Sequence, residues 1–168
     1  RRFGKHEKKV LFIDVSKAYF NAEVDRPTCV ELPPDMQWPG YCGRLLRCMY
    51  GTKSAAMRWE DTYTQALGRL GFAQGRASPC CFTHKTRDLR LVVHGDDFTI
   101  LGCDADLDYF QKGIQTEFEV KVRGRLGGGK DDKCMRILNR IIKWTEAGLR
   151  IEADPRHVEI LIKERGPK

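Results

Sequence analysis

Two aspartates, Asp96 and Asp97, stand side by side inside an apolar stretch, Val92-Val93-His94-Gly95-Asp96-Asp97-Phe98-Thr99-Ile100-Leu101. Strand-forming residues flank the pair and a glycine precedes it, a pattern that predicts a β-hairpin whose tight turn carries adjacent carboxylates. Two anions held together on a rigid turn repel each other, by roughly 4 kcal/mol at about 4 Å and an effective dielectric of about 20, unless a cation lies between them. Carboxylate oxygens suit Mg²⁺ or Mn²⁺ for that purpose. A third carboxylate, Asp14, sits inside another strand-like run, Val10-Leu11-Phe12-Ile13-Asp14-Val15. An ionised aspartate in a buried strand is costly unless it is paired or metal-bound. Asp14, Asp96 and Asp97 are therefore expected to meet at the edges of neighbouring strands. Three carboxylates around two metals suit phosphoryl transfer at a nucleotide's α-phosphate.

The elements that must position these residues can be read along the chain. A strand is expected over 9–15. Pro27, Pro33, Pro34, Pro39 and Gly40 exclude a long helix over 25–43 and predict an extended loop with a short strand over 28–32. Trp59, Tyr63, Ala66, Leu67 and Leu70 recur at helical spacing and predict a helix over 53–70, stopped by Gly71. That aromatic stripe reads as ordinary core. Strands follow at 80–84 and 89–102. Asp104 is the expected N-cap of a helix to about residue 118, with Leu107, Phe110, Ile114 and Phe118 facing inward. A strand-like segment, 119–122, leads to a glycine-rich loop, 124–129, and a hairpin over 134–153 that turns at 145–148. A last helix starts at Pro155 and carries Val158, Ile160, Leu161 and Ile162. The order predicts an α+β fold, mostly antiparallel, with helices packed on one face. The chain divides into a core carrying the acidic motifs, 1–123, and a link, hairpin and helix, 124–168.

The 168 residues suffice for one domain with a real core, and 41% hydrophobic with 32% charged residues is ordinary for a globular protein. No run of 18 apolar residues predicts a membrane span. The basic start, Arg1-Arg2-Phe3-Gly4-Lys5-His6, lacks the apolar stretch of a secretory signal. A net charge of +7 favours an anionic partner, with nucleic acid foremost. The seven cysteines form no C-x₂-C pair, which argues against zinc, and reduced thiols are expected, with adjacent Cys80 and Cys81 as packing residues. Gly127-Gly128-Gly129 is followed by Lys130-Asp131-Asp132 rather than Lys-Ser/Thr, so it is no Walker loop, and Asp131-Asp132 is expected to be a solvated loop.

Four stretches, in order, resemble the reverse transcriptase (RNA-directed DNA polymerase) palm of copia-like LTR retrotransposons. Phe12-Ile13-Asp14-Val15-Ser16-Lys17-Ala18-Tyr19-Phe20-Asn21-Ala22 resembles the first catalytic motif. Arg44-Leu45-Leu46-Arg47-Cys48-Met49-Tyr50-Gly51-Thr52-Lys53-Ser54-Ala55-Ala56-Met57-Arg58-Trp59 resembles the second, L-Y-G-L-K-Q-A-P-R-x-W. Val93-His94-Gly95-Asp96-Asp97-Phe98 resembles the Y-V-D-D turn. Glu117-Phe118-Glu119-Val120-Lys121 through Leu126-Gly127, with Ile137-Leu138-Asn139-Arg140-Ile141, resembles the glycine-containing segment and the strand after it. The resemblance implies that Asp14 and Asp96 hold two Mg²⁺ (or Mn²⁺) ions with Asp97 beside them and the Val15 carbonyl as a further contact. It implies a steric gate at Tyr19, a nucleotide pocket lined by Tyr50 and Gly51, and template or phosphate near Lys53 and Arg58. Lys121 or Lys130 would assist the leaving pyrophosphate; the spacing does not choose between them. The partners implied are an RNA/DNA template-primer, dNTPs, and the fingers, thumb and RNase H regions of a parent polyprotein. Such an element works in a cytoplasmic particle or the nucleus, and the sequence carries no clear address. His94-Gly95 stands where the family has Tyr-Val, with Gly95 beside the expected primer end, and Ser54 and Ala56 replace Gln and Pro. Two other classes stay open: an inactive or domesticated remnant that only binds nucleic acid, and another palm-type enzyme such as a nucleotidyl cyclase, which lacks the Tyr50-Gly51 segment and the Tyr19 spacing.

Overall fold

The structure is a computed structural model that describes residues 7–153 and 156–165. Its centre is an antiparallel six-stranded sheet in the order β4-β5-β6-β7-β1-β8. The strands are β1 (Lys9–Val15), β4 (Phe72–Gln74), β5 (Cys81–His84), β6 (Arg90–His94), β7 (Asp97–Gly102) and β8 (Val120–Leu126). β1 is paired on both sides, to β7 and to β8. Successive side chains of a strand point to opposite faces. Leu11, Ile13 and Val15 accordingly join the main core, whereas Val10 and Phe12 join a second cluster with Leu126 and Ile137. Burial on both faces is why β1 reads as one continuous apolar run rather than an alternation.

Helices α1 (Ala55–Arg69) and α2 (Asp104–Glu117) cover the face that carries Leu11, Ile13, Leu91, Val93, Phe98 and Ile100. Trp59, Tyr63, Ala66 and Leu67 of α1 and Leu107, Phe110 and Ile114 of α2 are buried there, so both apolar stripes do what their spacing predicts. A three-stranded sheet, β9 (Cys134–Ile137), β10 (Arg140–Thr145) and β11 (Gly148–Ala153), lies against part of the opposite face through Met135, Ile142 and Trp144. A small pair, β2 (Cys29–Val30) and β3 (Gly43–Arg44), ties the proline-rich loop. Helix α3 (Arg156–Arg165) exposes Val158, Ile160, Leu161 and Ile162. The fold is thus α+β and mostly antiparallel, with three α-helices among the described residues. None of them is long and apolar enough to cross a membrane.

Several local expectations are corrected. Helix α1 begins two residues late: Ser54 precedes it without capping it, and its hydroxyl donates instead to Asp25 at 2.9 Å. Cys103, not Asp104, is the N-cap of α2, and Asp104 enters the first turn. The glycine-rich stretch is not all loop, because β8 continues through Gly124 to Leu126. Asp131 and Asp132 are not simply solvated: Asp131 pairs with Lys9 at 2.6 Å, and Asp132 accepts the Arg125 backbone N–H at 3.2 Å. The C-terminal hairpin is a three-stranded meander, with an extra turn at Leu138-Asn139 where both residues have positive φ. Short β3 and β4 were not anticipated. Cys80 is exposed rather than packed, and all seven cysteines are free. Pro155 and residues 1–6 lie outside the described residues.

Candidate active site

Asp14 is the penultimate residue of β1 and is in register with Asp97, the first residue of β7. On its other side Asp14 is in register with Lys121 of β8. Paired residues of adjacent strands share a face. Asp14, Asp97 and Lys121 therefore lie together on the face of Phe12, opposite the two helices. The turn between β6 and β7 consists of Gly95 and Asp96, with His94 opposite Asp97. Gly95 has φ of +63° while Asp96 is not in the positive region, the signature of a type II′ hairpin turn. A Cβ at Gly95 would meet nothing within 4 Å, so the glycine answers to backbone conformation and leaves open space above the aspartates. Asp96 sits in the turn as expected, and Asp97 has already entered the strand.

The turn is tethered from both sides. The Val15 N–H donates to the Asp96 carbonyl at 2.9 Å, closing the ladder between β1 and β7. From behind, the Trp59 indole Nε1–H donates to the Gly95 carbonyl at 2.8 Å. Trp59 is fully buried and packs edge-on against Tyr63 and Phe118. The aromatic stripe is core, as read from its period, but one of its members also holds the acidic turn. Periodicity alone gives no hint of this; the signal available was that a buried indole N–H needs an acceptor.

Asp97 is half-buried in the sheet. Burial pushes its carboxyl above the ordinary 3.8; Asp96 and Asp14 add to the rise, and the Arg123 guanidinium opposes it. Arg123 Nη1 lies 3.0 Å from Asp97 Oδ1. The sequence reading missed Arg123, since nothing in its neighbourhood distinguishes it from a solvated arginine. Asp97 is thus close enough to Asp96 and to Asp14 to be repelled by both, and oxygen donors of this kind fit a hard divalent cation. Among the described residues, no three His, Cys, Asp or Glu side chains converge into a ready ion cage.

Next to the carboxylates, the chain leaves β1 through Lys17, whose φ of +51° is unusual for a residue with a Cβ, and enters a 3-10 turn, Ala18–Asn21. Tyr19 in this turn packs against Tyr50 with the rings tilted by 54° and their centroids 4.5 Å apart, and Phe20 meets the same ring edge-on at 5.8 Å. Tyr50 and Gly51 are the centre of a β-turn closed by Thr52 N–H to Met49 C=O at 3.1 Å, with Gly51 at φ +85° as a type II turn requires. The Cys48 N–H donates to Ala22 C=O at 2.9 Å and the Arg58 Nε–H to Glu23 C=O at 3.2 Å, which fastens this segment beside the end of β1. The structure thereby joins Tyr19 to Tyr50. Arg58 is also engaged with Asp61 at 3.3 Å, whereas Lys53 is exposed. Lys121 is exposed beside Asp14, and Lys130 lies beyond the end of β8.

The profile of the reverse transcriptase (RNA-dependent DNA polymerase) family matches residues 4–128. The chain belongs to this family. Among curated relatives, a Saccharomyces cerevisiae protein named for transposon Ty5-1, YCL074W, is 28% identical over 93 residues, 52% of this chain and 30% of that protein. The transposon Ty1-DR1 Gag-Pol polyprotein of the same yeast is 26% identical over 136 residues, 79% of this chain but 8% of the polyprotein. The chain therefore spans under a third of either relative. The resemblance to the reverse transcriptases of copia-like retrotransposons holds, and the residues matched include β1, the Tyr50-Gly51 turn, the acidic hairpin and all of β8.

Proposed function

We propose that this chain is the palm of an RNA-directed DNA polymerase that joins deoxynucleotides to a primer 3′-hydroxyl. The observation that carries the reading is the register of Asp14 against Asp97, with Asp96 in the adjoining turn. It gathers three carboxylates at one end of the sheet, where half-buried Asp97 lies near both Asp96 and Asp14 and a cation would offset the crowded charge. Two Mg²⁺ or Mn²⁺ ions, when bound, would lower the pKa of the primer hydroxyl and offset charge on the triphosphate. Asp14 and Asp96 would hold them, with Asp97 and the Val15 carbonyl as further oxygen donors. Tyr19, fixed by Tyr50, would present its ring to the sugar of an incoming nucleotide and exclude a 2′-hydroxyl. The Tyr50-Gly51 turn would border the same nucleotide, and the exposed ammonium of Lys121 would face its phosphates. Open space over Gly95 would admit the primer end. Lys53 and Arg58 on or near α1, and the positive charge of the whole chain, would favour template and primer phosphates.

The reading is tested by extension of a DNA primer on an RNA template, with dNTPs and Mg²⁺ or Mn²⁺, using this chain alone and joined to the flanking segments of its polyprotein. Extension is expected to depend on the divalent ion and to vanish in Asp96→Asn. Extension that persists in Asp96→Asn would sink the assignment. Nucleic-acid binding without extension in either form would favour a remnant that only binds.

A further inference from the structure

The pairing of β8 with β1 slips at one place. Gly124 is opposite Phe12 and Val122 is opposite Ile13, which leaves Arg123 between them without a partner on β1. A bulge of this kind bends its strand and re-aims a side chain. Here the re-aimed side chain crosses β1 and reaches β7, where the guanidinium meets Asp97 Oδ1 at 3.0 Å. The two side chains are unequally placed: Asp97 retains 19% of its side-chain exposure and Arg123 retains 42%. The carboxylate is therefore fixed in the sheet, while the guanidinium can swing into water at small cost. A guanidinium and a divalent ion at this point neutralise the same charge, and Arg123 already occupies one of the two Asp97 oxygens.

Resting on the metal reading above, we propose that Arg123 is a built-in counter-cation that competes with the divalent ion for Asp97 and must release it when metal binds. The test is a titration of the intact chain with Mn²⁺, following the free-ion signal by electron paramagnetic resonance, for the natural sequence, Arg123→Gln, Arg123→Lys and Asp97→Asn. Circular dichroism verifies that each variant is folded, which the exposed position of Arg123 favours. Arg123→Gln is expected to bind Mn²⁺ about two- to fivefold more tightly, the range of a partly exposed ion pair. Arg123→Lys, which keeps the charge, is expected to stay nearer the natural chain, and Asp97→Asn to bind more weakly than any other. Unchanged or weaker binding in Arg123→Gln, with binding still weakened in Asp97→Asn, would overturn the competition and leave the metal reading standing. No Mn²⁺ binding by the natural chain or Arg123→Gln would sink both.

Discussion

At the scale of single residues, Asp97 is held against its own solvation. Burial, with Asp96 and Asp14 nearby, raises its carboxyl above the ordinary value, and Arg123 offsets only part of the cost. The sign of the linkage follows. A carboxylate whose folded pKa is raised binds more protons folded than unfolded, so its ionisation subtracts stability as pH rises through that window. Above the window the penalty is fully present. In metal-free buffer, Asp97→Asn is therefore expected to raise the melting temperature at neutral pH and to match the natural chain at acid pH, while in the presence of Mg²⁺ its extension is lost. A lower melting temperature at neutral pH would show that the Arg123 pair outweighs the burial cost. Residues chosen for chemistry commonly carry such a stability cost. The acidic residues themselves were legible in the sequence because a charge inside an apolar run demands a reason. Arg123 was not, because its role comes from a one-residue slip in pairing between strands more than a hundred residues apart in the chain.

Secondary-structure elements show how a buried helix can govern an exposed turn. Helix α1 reaches the acidic hairpin through one hydrogen bond, from the Trp59 indole to the Gly95 carbonyl. Trp59→Phe keeps most of the aromatic packing against Tyr63 and Phe118 and removes only that donor. A buried carbonyl left without its partner costs about 1–3 kcal/mol, less where water can enter, as it can at this open turn. We expect a melting temperature lower by only a few degrees but a larger fall in extension rate, because the turn carrying Asp96 loses its support. Equal losses in a variant such as Tyr63→Phe, which leaves the turn bond intact, would reduce Trp59 to packing. Helices α1 and α2, through their periods, and the two acidic strands, as apolar runs that carry a charge, were legible in the sequence. The boundaries were less so: Ser54 gives its hydroxyl to Asp25 instead of the helix, and β8 runs on through Gly124 despite its glycines. Two-residue β3 and three-residue β4 are held by their partners and carry no period long enough to detect.

For the whole molecule, most of what positions the site is non-local. β1 lies between β7 and β8, and its face pairs with α1 and α2, so every neighbour of Asp14 within the sheet comes from beyond residue 96. The candidate site could be listed from the sequence but not assembled from it, since the order β4-β5-β6-β7-β1-β8 places the first strand next to the last of the sheet. That order has a consequence in time. A ribosome adds roughly 5–20 residues per second, so the apolar run of β1 waits on the order of ten seconds, from its own emergence until β7 follows, with both edges open. An unpaired strand of this composition is an invitation to intermolecular pairing. A chain ended just before Gly95 is expected to collect in the insoluble fraction and one ended after Gly127 to stay soluble, as sedimentation of matched expression lysates would reveal. Equal solubility of the two would mean that β1 finds other shelter early. Slower translation across this interval is then expected to lower the soluble yield even though every contact of the finished fold is unchanged.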